Sequence, residues 1–184
     1  VTQFIVLFIS IASFILVARL LGPEGRGGLA LIMIIPALVI TIGRMGIGHA
    51  VNYYASKIPA PNLIINSIAL TSFLSLIIIA VNTTVVYLFK DFFFKGIDGN
   101  ILIIISLLTP IFLFHNFLIS LMQGLYKIFL RNLLNIIQAI VTFSGLIFLV
   151  YFVQAGLNGA VTVYITSTLV VVIIPLLYFL STYS

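Results

Sequence analysis

Six long apolar runs follow one another along this chain, and they decide what it can fold into. They cover residues 1–21, 29–51, 63–89, 101–122, 133–153 and 161–180. Polar or glycine- and proline-rich connections separate them. A helix needs about 20 mostly apolar residues to cross the hydrocarbon of a bilayer, and each run has that length. In lipid every backbone N–H and C=O must be satisfied within its own segment, so the runs are expected as helices rather than strands. They also lack the apolar–polar alternation of a membrane barrel strand. The expected architecture is all-α: a polytopic transmembrane bundle of about six spanning helices, forming a single domain over residues 1–184.

Composition closes off the soluble alternative. Of the 184 residues, 63% are hydrophobic and 6% charged, against about 45–50% and 25% in an average soluble domain. Eleven formal charges cannot cover a water-soluble surface of this size. The net charge of +5 is spread singly over the connections, with no basic run of the kind that binds nucleic acid. With no cysteine there is neither a disulfide framework nor a thiolate metal site. Two histidines complete no metal-ligand set either, and no cofactor is implied. The chain begins at Val1, inside an apolar run and without an initiator Met. It is therefore expected to be part of a longer protein or to have lost a short leader.

Polar residues recur at helical spacing within several runs. The first has Gln3, Ser10 and Ser13; the third has Ser67, Thr71, Ser75 and Asn82. The fourth has Ser106, Thr109, Asn116, Ser120 and Gln123; the fifth has Arg131, Asn135, Gln138 and Thr142. Steps of three, four and seven put each set on one helix face. Two readings are open. Small polar residues let membrane helices approach closely and bond across the interface. Alternatively the stripes line a water-filled cavity, which suits the long amides Asn116, Asn135 and Gln138.

Ionisable residues within the runs are functional candidates by default. Arg44 is about seven residues from the end of the second run, roughly 10 Å at helical rise. It either snorkels to the headgroups or faces a polar cavity, where a guanidinium would hold an anionic headgroup. His115, near the middle of the fourth run, is a candidate proton relay or a neutral side chain bonded to a neighbouring helix. No catalytic set stands out, and an enzyme is not expected. Asp91 and Asp98 share one connection, Glu24 sits in another, and Ser120 is five positions from His115, off its face. Loop charge leaves orientation open: Arg19, Arg26, Lys90 and Lys95 stand on one side, Lys57, Lys127 and Arg131 on the other.

The stretch Ala18-Arg19-Leu20-Leu21-Gly22-Pro23-Glu24-Gly25-Arg26-Gly27-Gly28-Leu29-Ala30 resembles the first helix end and first turn of polysaccharide biosynthesis proteins. These are the O-antigen-type lipid-linked oligosaccharide flippases of the multidrug/oligosaccharidyl-lipid/polysaccharide exporter superfamily. Gly43-Arg44-Met45-Gly46-Ile47-Gly48-His49 looks like the glycine-rich end of that family's second helix. Gln123-Gly124-Leu125-Tyr126-Lys127 and the residues to Asn132 look like its fourth connection, and Gly156-Leu157-Asn158-Gly159-Ala160 like its turn into helix six.

The resemblance implies a great deal. The chain would be the N-terminal six-helix lobe of a two-lobe transporter, with the C-terminal lobe absent. Its substrate would be an undecaprenyl-diphosphate-linked oligosaccharide, flipped across the inner membrane by alternating access for polysaccharide synthesis. Its partners would be membrane lipid, the missing lobe and the polysaccharide polymerase machinery. The N-terminus would be cytoplasmic. Arg44 would hold the phosphate, and Asn116, Asn135 and Gln138 the sugar hydroxyls. The competing expectations are a cation-coupled multidrug exporter of the same superfamily and a non-transport membrane scaffold. An exporter of that kind would be expected to carry intramembrane acids, and none is visible in these runs.

Overall fold

The computed structural model describes residues 2–43, 46–55, 57–94 and 96–183. These form six α-helices: α1 (Thr2–Gly43), α2 (Ile47–Tyr54), α3 (Ala60–Phe93), α4 (Gly99–Gly124), α5 (Ile128–Leu146) and α6 (Gly156–Tyr183). A π-helical turn (Ile147–Phe152) extends α5. Five of the helices are long and apolar enough to cross a membrane; α2 is the short one. The protein is a multi-pass, all-helical membrane bundle.

The first two apolar runs are joined in one element, which corrects the expected loop at residues 22–28. Only Gly22 leaves helical geometry, at φ 66° and ψ −176°. A straight helix of 42 residues would be about 63 Å long, twice the hydrocarbon thickness of about 30 Å. The bend at Gly22 divides it into two limbs of spanning length. Pro23 then opens the second limb, where a missing N–H costs nothing. The Arg26 guanidinium lies 3.9 Å from the centre of the Phe14 ring, across 12 positions that a straight helix would hold about 18 Å apart.

The second expected run is also interrupted. The helix passes through Pro36 and runs to Gly43. A new helix starts after Gly46, which is left-handed at φ 81°. The other junctions follow from local chemistry. Pro61 sits in the first turn of α3. The Asp98 side chain caps α4 by accepting from the Asn100 backbone N–H at 3.0 Å. At the end of α4, Lys127 N–H donates to the Met122 carbonyl (2.8 Å) and Tyr126 N–H to that of Gln123 (3.2 Å). With Tyr126 at φ 58°, that pattern is a Schellman closure.

Helix α4 packs against all five other helices and forms the centre of the bundle. The buried apolar residues fall into two clusters, one toward each membrane face. The first includes Val17, Leu29, Ile32, Leu102, Leu146 and Val163. The second includes Val51, Leu63, Leu121, Met122, Leu134 and Phe179. Buried hydroxyls of Thr71, Ser75, Ser106, Thr109, Thr142 and Thr168 lie toward the middle of their helices. Most of them bond back to a carbonyl one turn earlier: Thr71 to Ser67 (2.8 Å), Thr109 to Ile105 (2.7 Å), Thr168 to Tyr164 (2.8 Å). The outer surface is strongly apolar, with Phe4, Phe8, Leu76 and Phe148 among the exposed side chains, as a lipid solvent requires.

Candidate functional site: a polar cleft between α1, α5 and α6

Helix α5 starts at Ile128, earlier than the run at residue 133, so Arg131 falls in its first turn. From there Arg131, Asn135, Gln138 and Thr142 climb one face in steps of four, three and four. The first limb of α1 presents Gln3, Ser10 and Ser13 to the same space, and α6 adds Tyr164. Two adjoining cavities result. The outer, of about 280 Å³, is lined by Thr2, Gln3, Ser10, Arg131, Asn132 and Asn135 with two apolar neighbours. The inner, of about 240 Å³, is lined by Ser10, Ser13, Asn135, Gln138, Thr142 and Tyr164, with Val6 again and Ala139. Ser10, Val6 and Asn135 belong to both, so the two make one cleft. From Arg131 to Thr142 is about 16 Å at helical rise, close to half the hydrocarbon thickness. The cleft therefore runs from the α4–α5 turn to near the middle of the membrane.

Its electrostatic character is set at the outer end. The Arg131 Nε is buried and has no hydrogen-bond partner. All three acids of the chain stand toward the opposite membrane face: Glu24 just after the Gly22 bend, Asp91 in the last turn of α3 and Asp98 at the start of α4. Lys57 and Lys127 share the Arg131 face, so that end carries cations and no carboxylate. A guanidinium here offers a planar fork of donors to an anion. Beyond it the lining is amide and hydroxyl, groups that both donate and accept hydrogen bonds.

Two of the four expected substrate-binding residues, Asn135 and Gln138, come together in the cleft. Asn116 does not line it; its Nδ2 donates to the Phe112 carbonyl at 2.9 Å. His115 is also elsewhere, with its Nε2 buried and unpaired. Arg44 lies outside the described residues. Of the other lining residues, Gln3, Ser10 and Arg131 belonged to the polar stripes without a ligand role, and Asn132 and Tyr164 had not been singled out. For Arg131 the signal was present, since it heads the α5 stripe. Tyr164 carried none, being one aromatic residue in an apolar run. Among the described residues no group of His, Cys, Asp or Glu could hold a metal ion. Compared with protein-family models, curated proteins and solved structures, the chain matches none.

Proposed function

We propose that this chain is one lobe of a membrane transporter that flips a lipid-linked oligosaccharide across the inner (plasma) membrane. The observation that carries this reading is the cleft. It enters from one face, is lined largely by amides and hydroxyls, has the Arg131 guanidinium at its mouth, and ends near the membrane middle. A phosphate-bearing headgroup suits the mouth, since guanidinium binds phosphate with two parallel, charge-assisted hydrogen bonds. Sugar hydroxyls suit Asn135, Gln138 and Ser10. The hydrocarbon tail stays in lipid. A site near the midplane, reached from one face at a time, is what alternating access requires. The second lobe would supply the other wall.

In this assignment Arg131 is the phosphate anchor, and Arg44 is a second cation to be tested beside it. A cation-coupled drug exporter would need an acid in the cleft, and the three acids of the chain lie elsewhere.

The test uses the full-length protein reconstituted in liposomes with fluorescent lipid-linked oligosaccharide. Arg131→Ala should slow flipping at least tenfold with unchanged reconstitution, and Arg131→Lys should keep part of it. Arg44→Ala in the same assay separates the two cations. Wild-type flipping by Arg131→Ala would overturn the assignment.

A further inference from the structure

The inner half of the cleft differs from its mouth in charge. No lysine, arginine, histidine, aspartate or glutamate lines it. Arg131 belongs to the outer cavity alone, and of the polar side chains only Ser10 and Asn135 border both. At helical rise Asn135 stands about 6 Å, Gln138 about 10 Å and Thr142 about 16 Å beyond Arg131. Charge sits at one end of the cleft, and neutral hydrogen-bonding groups follow it inward.

Those neutral groups are unsatisfied by the chain itself. Thr142 is buried, yet its hydroxyl makes none of the bonds to its own helix that Thr71, Ser106 and Thr109 make. The amides of Asn135 and Gln138 and the Tyr164 hydroxyl likewise have no partner among the described residues, and none of their polar atoms is sealed from the cavity. A carboxamide presents two N–H donors and an acceptor oxygen, and a hydroxyl both donates and accepts. The ligand that satisfies this wall has donors and acceptors mixed and no net charge. A ring of hydroxyls meets that demand. An ionised carboxylate does not: it accepts only, and it is costly to hold away from water without a cation beside it. The Arg131 guanidinium is at the mouth, where the phosphate occupies it.

We infer that the inner cleft selects its substrate for neutrality. The first sugar ring beyond the phosphate lies at Asn135 and the second at Gln138 and Tyr164; both are hydroxylated and uncharged, and a uronic acid at the second position is excluded. Gln138 is the residue that sets this preference. The inference rests on the reading of the cleft as a lipid-linked oligosaccharide site.

The experiment is flipping by the full-length protein in liposomes. The substrates are undecaprenyl-diphosphate-linked disaccharides whose second sugar is glucose, glucuronic acid or glucuronamide. These differ only in the group on the ring, a hydroxymethyl, a carboxylate or a carboxamide, and the amide matches the acid in shape without its charge. The glucose and glucuronamide compounds should be flipped at similar rates, and the glucuronic acid compound at least about tenfold more slowly. Gln138→Lys, which puts a cation beside the second ring, should narrow that gap to about threefold or less. Equal rates for the acid and glucose compounds in wild type would overturn the inference and leave the transport reading standing. So would a glucuronamide rate as low as that of the acid, since shape would then be what the cleft rejects. An unchanged gap in folded Gln138→Lys would remove the second ring from Gln138. If none of the three compounds is flipped, the transport reading fails and takes the inference with it. The comparison of the three substrates on wild type needs no variant to fold.

Discussion

Gly22 holds a backbone conformation that side-chain-bearing residues almost never adopt. At φ 66° and ψ −176° it sits in a region populated essentially by glycine alone. A Cβ there would meet nothing within 4 Å, so a substitution is penalised by the backbone and not by crowding. Gly22→Ala should destabilise the bundle by about 1–3 kcal/mol. Gly27 is the internal control: it is equally free of neighbours, with ordinary φ, and sits in the same helix. Gly27→Ala should be neutral, or stabilising by up to about 1 kcal/mol through lost unfolded-state freedom. Thermal unfolding in detergent, followed by circular dichroism, measures both. Equal melting temperatures for the two variants would show that the bend does not depend on this dihedral pair. The composition of residues 22–28 marked where the chain turns but not how, because one glycine at the right dihedral replaces a loop of seven residues.

At the scale of the helix, four polar stripes that look alike in the sequence have two fates. The hydroxyls of those on α3 and α4 are buried contacts. Ser106 and Thr109 are wholly covered, and each bonds back to a carbonyl of its own helix, Leu102 and Ile105, at 2.7 Å. Those on α1 and α5 line the cleft. Spacing could not separate the fates, because a hydroxyl that bonds to the i−4 carbonyl needs no partner from elsewhere. Residue length carried part of the distinction: Asn135 and Gln138 line open space, but Asn116 satisfies one end on Phe112. Arg131 headed the fifth stripe and also counted as loop charge, because the apolar run starts at 133, whereas the helix starts five residues earlier. The helical character of the runs was legible, since lipid leaves no other structure for 20 apolar residues; the joining of the first two and the break after Gly43 were not. The chain has no native cysteine, so single substitutions report without background. Gln138→Cys should react with a water-soluble maleimide in membranes, and Thr109→Cys should not. Equal labelling of both, after a check for folding, would remove the distinction between cleft and contact.

Across the whole molecule, polarity and packing divide the bundle along the membrane normal. One apolar cluster closes the end that holds Gly22 and the α5–α6 turn, and the other surrounds the α4–α5 turn. The cleft passes beside the second cluster and stops at the middle. Beyond it Val17, Leu146 and Val163 of the first cluster are almost fully buried. The glycine at 145 tightens that seal, because any Cβ there would lie 2.9 Å from Val163. Water therefore has a path to Gln138 from the Arg131 face, and among the described residues this packing closes off the Gly22 face. The expected result is one-sided labelling. In right-side-out and inverted vesicles, Gln138→Cys should react with an impermeant maleimide from the face that also labels Lys127→Cys. It should be silent from the face that labels Asn100→Cys. With a cytoplasmic N-terminus, as the proposed transporter requires, the reactive face is the cytoplasmic one, so Lys127→Cys fixes the orientation in the same experiment. Reaction of Gln138→Cys from both faces would mean that the first cluster does not seal the cleft, and this lobe would then be a leak rather than half of an alternating gate.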